Sequence, residues 1–207
     1  LPYIKRFAGK TIVIKYGGNA MIADDLQQAF AEDLVLLKYV GIHPVVVHGG
    51  GPQINRMLEE LSIESRFVGG MRVTDPPTMR VVEMVLAGEI NARIVTNIQQ
   101  AGGRAAGFSG KDGGLLQAQR LRHAAGDLGQ VGEITAVDPG LIRAMEGSDF
   151  IPVIAPVGSS QDGESLNINA DTAAGRIAEA LGAEKFLLLT DVEGILDRNG
   201  QLITSLN

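Results

Sequence analysis

The feature that most constrains the fold is a pattern met twice near the amino end: a short apolar run, a glycine cluster, then a helical repeat. Thr11-Ile12-Val13-Ile14-Lys15-Tyr16 is β-branched and brief, and Gly17-Gly18 closes it. Pro44-Val45-Val46-Val47-His48 repeats the pattern and ends in Gly49-Gly50-Gly51. After the first turn, Leu26, Phe30, Leu34 and Leu37 recur at helical spacing, which predicts a helix over Asp24 to Tyr39 with Asp24 as its N-cap and Gly41 as its stop. After the second, Pro52 suits the first turn of a helix running to about Leu61. Strand, glycine turn and helix in this order are the signature of βαβ units and a parallel sheet. The near-continuous apolar runs fit strands covered on both faces.

The remaining chain extends this plan. Helical patterns run from Pro77 to Leu86, from Glu89 to Gln100 and from Asp171 to Leu181, the last stopped by Gly182. Phe150 to Ala155 and Phe186 to Thr190 read as further strands of the parallel type. Arg104 to Asp138 differs, with many glycines and alternating segments at Leu115 to Leu121 and Val131 to Val137, and predicts a small antiparallel insert. Arg198-Asn199-Gly200 predicts a hairpin. The expected class is α/β, a three-layer αβα sandwich with a central mostly parallel sheet plus that insert. The chain opens on Leu1 rather than methionine and closes at Asn207 just after a strand-like stretch, as expected of part of a longer product.

Composition narrows the partners. The 207 residues suffice for one large domain or two lobes. The net charge is −6 and aromatic residues are 4%, a poor match to the basic stripe and stacking platform of a nucleic-acid binder. No apolar run approaches the roughly 18 residues needed to span a bilayer, and Leu1-Pro2-Tyr3-Ile4-Lys5-Arg6 has no signal-peptide core. Cysteine is absent, which removes disulfides and thiolate chemistry and is compatible with the cytoplasm. An acidic chain that binds anions must concentrate its positive charge locally.

In open α/β sheets ligands bind beyond the carboxyl ends of the strands, where both glycine turns lie. Glycine permits close approach of the backbone to a phosphate, and the following helix offers unpaired N–H donors. Neither turn carries G-x-G-x-x-G, and Gly110-Lys111 is followed by Asp112, so the P-loop pattern fails as well. A dinucleotide dehydrogenase and a P-loop ATPase are both disfavoured. Lys15 stands in an otherwise apolar strand, one residue from the first turn: either a lysine snorkelling at a strand end or a point charge aimed at phosphate oxygens. Arg72 is a surface arginine or a bidentate carboxylate clamp. Asp171 suits a helix start on dipole grounds alone. By default Asn167 and Asn169 are loop residues, Asp191 starts a turn, and His48 packs at a strand end. His43, His48 and His123 lack metal-ligand spacing.

Taken in order, these segments are more specific. Ile12-Val13-Ile14-Lys15-Tyr16-Gly17-Gly18-Asn19-Ala20, Val45-Val46-Val47-His48-Gly49-Gly50-Gly51-Pro52, Gly70-Met71-Arg72-Val73-Thr74 and Gly107-Phe108-Ser109-Gly110-Lys111-Asp112-Gly113 form the first part of the set. Asn167-Ile168-Asn169-Ala170-Asp171-Thr172-Ala173-Ala174 and Leu188-Leu189-Thr190-Asp191-Val192-Glu193-Gly194-Ile195-Leu196-Asp197 complete it. The set resembles the amino acid kinase family over essentially the whole chain, and within it the arginine-sensitive branch that phosphorylates N-acetyl-L-glutamate.

The resemblance implies ATP-dependent phosphorylation of the γ-carboxylate of N-acetyl-L-glutamate in arginine biosynthesis, with Mg2+ bound mainly through the phosphates. It implies that Lys15 stabilises the transferring phosphoryl group and that Asp171 organises the lysines around it. Gly50, Gly51, Arg72 and Asn167 would bind the substrate. Gly17 and Gly18 would line the phosphates, and Asp191, Gly194, Ile195 and Leu196 would begin the nucleotide site. Residues 1–182 would form the acetylglutamate lobe and 183–207 the start of a nucleotide lobe whose remainder, with a second phosphate-binding lysine, lies beyond. Leu1 to Phe7 resembles the tail of the extra helix of hexameric members, which implies a homo-oligomer (dimer or hexamer), arginine feedback and a PII-type regulator. The alternatives are a family member acting on aspartate, glutamate, carbamate or UMP, and a lobe that binds acetylglutamate without turnover.

Overall fold

The computed structural model describes residues 2–21, 23–124, 126–189, 194 and 201–203. Helix α1 (Pro2–Phe7) leads into β1 (Thr11–Tyr16), and a 3-10 turn at Gly18–Met21 joins β1 to α2 (Asp24–Tyr39). Strand β2 (His43–His48) and α3 (Gly51–Glu60) repeat the unit, followed by a small hairpin of β3 (Phe67–Val68) and β4 (Met71–Arg72). Helix α4 (Pro76–Glu83), a π-helical stretch (Met84–Ile90) and α5 (Asn91–Gln100) follow without a break. Then come β5 (Arg104–Ser109), β6 (Leu116–Arg120), β7 (Val131–Val137), α6 (Gly140–Glu146), β8 (Phe150–Ala155), β9 (Val157–Ser159), β10 (Ser165–Ile168), α7 (Ala170–Leu181) and β11 (Lys185–Leu188).

Among the described residues the central sheet has five strands in the order β11-β1-β2-β8-β5, and every neighbouring pair is parallel. Alternate side chains of a strand point to opposite faces, and two cores result. Ile12, Ile14, Tyr16, Val46 and Val153 pack with Leu34, Leu58, Val82, Ile90 and Ile98 of the α2–α5 layer. Val13, Val45, Val47 and Ile154 pack on the other face with Ile142 of α6 and Ala173, Ala174 and Ile177 of α7. The period-two rule therefore assigns Lys15 to the α7 face and His48 to the α4–α5 face.

The expected α/β class and parallel sheet are present, with local differences. Arg104–Ser109 belongs to the central sheet beside β8, not to the insert. The insert is β6 paired antiparallel with β7, and β9 and β10 close it into a four-stranded barrel. The two helical patterns at Pro77 to Leu86 and Glu89 to Gln100 form one rod, because the π-helical stretch carries Gly88 through without ending the helix. Asp24 is the first helical residue of α2 rather than its cap; Ala23 is the N-cap, and Asp24 and Asp25 meet the helix dipole from inside the first turn. The hairpin expected at Arg198-Asn199-Gly200 lies outside the described residues.

Leu34 and Leu36 of α2 separate burial from propensity. Leu34 is fully buried, whereas Leu36 is 58% exposed. Leu34→Ala should cost about 2–5 kcal/mol of stability and Leu36→Ala under about 0.5 kcal/mol, read by urea denaturation.

Candidate active site

Strands β1 and β2 pair in register, Tyr16 opposite His48, so both chains reach their glycine turns at the same level. The Gly49 N–H donates to the Tyr16 carbonyl at 2.8 Å and ties the two turns together. Lys15, on the α7 face, extends along the first turn, and its Nζ lies 3.2 Å from Asp171 Oδ1. The lysine side chain is 13% exposed and the aspartate 60%. A Cβ on Gly17 would stand 2.5 Å from Lys15 Nζ and 2.9 Å from its Cε, so the lysine occupies space that any other residue there would claim. Gly18 takes the left-handed conformation (φ 69°) that favours glycine. Asp171 sits in the first turn of α7, where Asn169 caps the helix by accepting the Thr172 N–H at 3.0 Å. Asn169 is thus a cap rather than a plain loop residue.

Beside this pair opens a cleft of about 490 Å3, a size usual for small-molecule sites. Gly49, Gly50 and Gly51 line it from one side, and Asn169, Ala170 and Thr172 from another. The amino ends of α3 and α7 therefore share one cavity, and both contribute partial positive charge to it. Gly50 is the N-cap of α3 and supplies no capping side chain. A Cβ there would strike Ile90 Cδ1 and sit 2.7 Å from Leu86 Cδ2, so the π-helical stretch closes directly on the glycine. Lys15 stands outside the cleft wall proper, joined to its rim through Asp171, whose two neighbours line it.

Arg72 is buried, and its guanidinium lies over the Phe67 ring at 4.7 Å from the centroid. Nη1 donates to Ser65 Oγ at 2.5 Å and Nη2 to the Gly51 carbonyl at 3.3 Å. Burial lowers its pKa from the ordinary guanidinium value, yet a guanidinium stays charged at neutral pH. Asn167 Nδ2 donates to Thr74 Oγ1 at 3.1 Å, and Thr74 Oγ1 donates to the Arg72 carbonyl at 2.9 Å. A fully buried threonine thus links the Asn167 side chain to the Arg72 main chain, a link that sequence reasoning missed.

Asn91, the first residue of α5, is a second omission. Its Nδ2 lies 3.0 Å from the Val153 carbonyl and 3.1 Å from His48 Nε2. His48 Nδ1 lies 2.9 Å from the Gly49 carbonyl. Burial pushes the His48 pKa down to about 4, partly countered by the Gly49 hydrogen bond. Gly194 packs against Leu202, and Asp191, Ile195 and Leu196 lie outside the described residues. Among the described residues no group of three or more His, Asp or Glu side chains forms a metal cage.

Comparison with known proteins follows the same direction. The model of the Amino acid kinase family matches residues 10–207. The chain is 54% identical to "Acetylglutamate kinase" of Marinomonas sp. (strain MWYL1) and 56% identical to that of Syntrophobacter fumaroxidans, covering all of this chain and 72% of each relative. Among solved structures it is similar to a protein of Streptococcus mutans UA159, smu.665, at TM-score 0.80 and 32% identity, over 91% of this chain and 75% of that one. N-acetylglutamate synthase from Neisseria gonorrhoeae, complexed with coenzyme A and N-acetyl-glutamate, aligns at TM-score 0.82 and 25% identity over 97% of this chain and 46% of that one.

His48 gives a pH signature. The imidazole takes its proton near the ordinary 6.5 in the unfolded chain and near 4 in the folded protein, so the unfolded state binds more protons between those values. Its contribution is complete above pH 6.5 and is lost as the pH falls toward 4, by about 1.4 kcal/mol per pH unit and about 3 kcal/mol in all. Urea denaturation across pH 7 to 4 should show a shallower loss in His48→Asn than in the parent.

Proposed function

Because the chain belongs to the amino acid kinase family, we propose that it transfers the γ-phosphate of ATP to the γ-carboxylate of N-acetyl-L-glutamate. The observation that carries this reading is the Lys15 ammonium, 3.2 Å from Asp171 at the end of β1, beside a cleft that holds a buried arginine. The relatives covered along the whole of this chain carry the name acetylglutamate kinase, which supports the choice of acceptor.

The acceptor carboxylate is ionised at neutral pH, so the reaction needs no general base, and no Ser-His or Cys-His arrangement is called for. Two anions must meet, and the protein's task is positioning and charge neutralisation. Arg72 holds the α-carboxylate of the substrate, and its contacts to Ser65 and Gly51 fix the guanidinium plane before the ligand arrives. Asn167 contacts the same substrate from β10. The main-chain N–H groups of Gly50 and Gly51 and those of Gly17 and Gly18 face the phosphoryl oxygens. Lys15 neutralises the developing charge, and Asp171 keeps its ammonium from straying.

The glycine turns suit a polyphosphate, since the space a Cβ would fill at Gly17 is taken by a lysine. Mg2+ would be held mainly by the phosphates, since no carboxylate cage occurs among the described residues, and would supply further charge neutralisation. Residues 1–182 constitute the acetylglutamate lobe and 183–207 the start of the nucleotide lobe, to which Asp191, Gly194, Ile195 and Leu196 contribute. The resemblance of Leu1 to Phe7 to the extra helix of hexameric members supports a homo-oligomer with arginine feedback and a PII-type regulator, working in the cytoplasm.

With hydroxylamine as trap, ATP and N-acetyl-L-glutamate should yield hydroxamate and ADP, while aspartate, glutamate, carbamate and UMP in its place should not. No hydroxamate from acetylglutamate together with turnover of another acceptor overturns the assignment. Lys15→Ala should lower kcat with a smaller change in KM. Arg72→Ala should weaken acetylglutamate binding by ~1.5–3 kcal/mol, seen by calorimetry, and an unaltered affinity would move the clamp elsewhere.

A further inference from the structure

The amide of Asn91 is oriented by chemistry as well as by distance. Its Nδ2 faces the carbonyl of Val153 at 3.0 Å and that of Phe108 at 3.5 Å, and carbonyls only accept. The NH2 group must therefore be the end that faces them, and it is also the end 3.1 Å from His48 Nε2. A donor at that distance requires a lone pair on Nε2. The imidazole proton then sits on Nδ1 and is donated to the Gly49 carbonyl at 2.9 Å. Burial agrees, because the ring is fully enclosed and stays neutral at neutral pH.

The consequence falls on one peptide plane. In a trans peptide the C=O and the next N–H point in opposite directions. Pulling the Gly49 oxygen onto the imidazole therefore directs the Gly50 N–H away from it. The Gly49 N–H, bound to the Tyr16 carbonyl at 2.8 Å, fixes the other side of the same residue. Leu86 and Ile90 close on Gly50 from the π-helical stretch, and Asn91 is the next residue. That widened turn sets Ile90 and Asn91 on successive contacts, one to the glycine and one to the histidine. Gly107 belongs to the device as well: a Cβ there would overlap Asn91 Oδ1.

We propose that His48 and Asn91 are positioning residues for phosphoryl transfer: the Asn91 amide sets the imidazole tautomer, and the imidazole turns the Gly49–Gly50 peptide so that the Gly50 N–H is presented to the transferring oxygens. Neither side chain touches the substrate. The catalytic half of this inference rests on the kinase reading above; the geometric half does not.

Nitrogen-15 spectra of the intact protein at pH 7 should show His48 protonated at Nδ1 and bare at Nε2; the opposite tautomer overturns the inference with no mutant needed. His48→Leu should shift the Gly50 amide resonance and lower kcat on the order of 10²-fold, with the KM for acetylglutamate changed less than about twofold. His48→Asn, whose Nδ2 stands where Nδ1 stood, should recover most of that kcat. Asn91→Asp, which cannot donate to Nε2 or to the Val153 carbonyl, should repeat the His48→Leu pattern. A Gly50 resonance unmoved in both His48→Leu and Asn91→Asp would also overturn it. If the parent transfers no phosphate to any acceptor while the Gly50 shift and the tautomer behave as stated, the kinase reading fails and the peptide-orienting role stands.

Discussion

The site depends first on the in-register pairing of β1 with β2. Tyr16 lies opposite His48, so Gly17 and Gly49 begin their turns side by side, and a 2.8 Å hydrogen bond from Gly49 to Tyr16 locks that level. Alternation then does the sorting. Lys15 falls on the face covered by α7 and meets Asp171, while His48 falls on the opposite face and meets Asn91. A slip of one residue in either strand would exchange the two faces. A slip in β1 would turn Lys15 away from Asp171, and a slip in β2 would turn His48 away from Asn91.

Much of this was legible in the sequence, for a physical reason. Strands buried on both faces read as unbroken apolar runs, and glycine turns at their ends are conspicuous. β1, β2 and β8 therefore stood out, as did α2 and α7, whose ends carry ordinary stop signals at Gly41 and Gly182. The pairing of Lys15 with Asp171 had a separate source, because residues far apart in sequence reveal no distance; the ordered set of motifs supplied it. For Arg72 the sequence leaves a surface arginine and a carboxylate clamp both open, and its burial and its seat over Phe67 exclude the first.

What escaped sequence reading has an equally physical cause. Arg104–Ser109 carries small residues and glycine, so it reads as part of an irregular insert, although β8 supplies a complete parallel partner. The π-helical stretch hides because its extra residue breaks the 3.6 period without adding a proline or a cap, and Gly88 looks like a helix end. Asn91 and Thr74 are ordinary polar residues in sequence. Their significance appears only once tertiary packing has removed them from water, since an enclosed amide or hydroxyl must find partners and thereby dictates the orientation of whatever it bonds.

The charge balance fits this division of labour. A protein with net charge −6 that binds two anions cannot rely on its overall field to attract them. Within and beside the cleft, the positive potential comes from two helix amino ends, the buried Arg72 guanidinium, Arg176 paired with Glu179 at 3.6 Å, and one lysine restrained by a carboxylate. Each is held by contacts inside the protein rather than by the ligands, so little reorganisation is left for the moment of transfer. Preorganisation of this kind explains why buried groups without direct chemistry, Thr74 beneath Arg72 and Asn91 beneath His48, occupy the centre of the structure. Thr74 bonds the Arg72 main chain and Asn91 the His48 ring, so each holds a segment that borders the cleft.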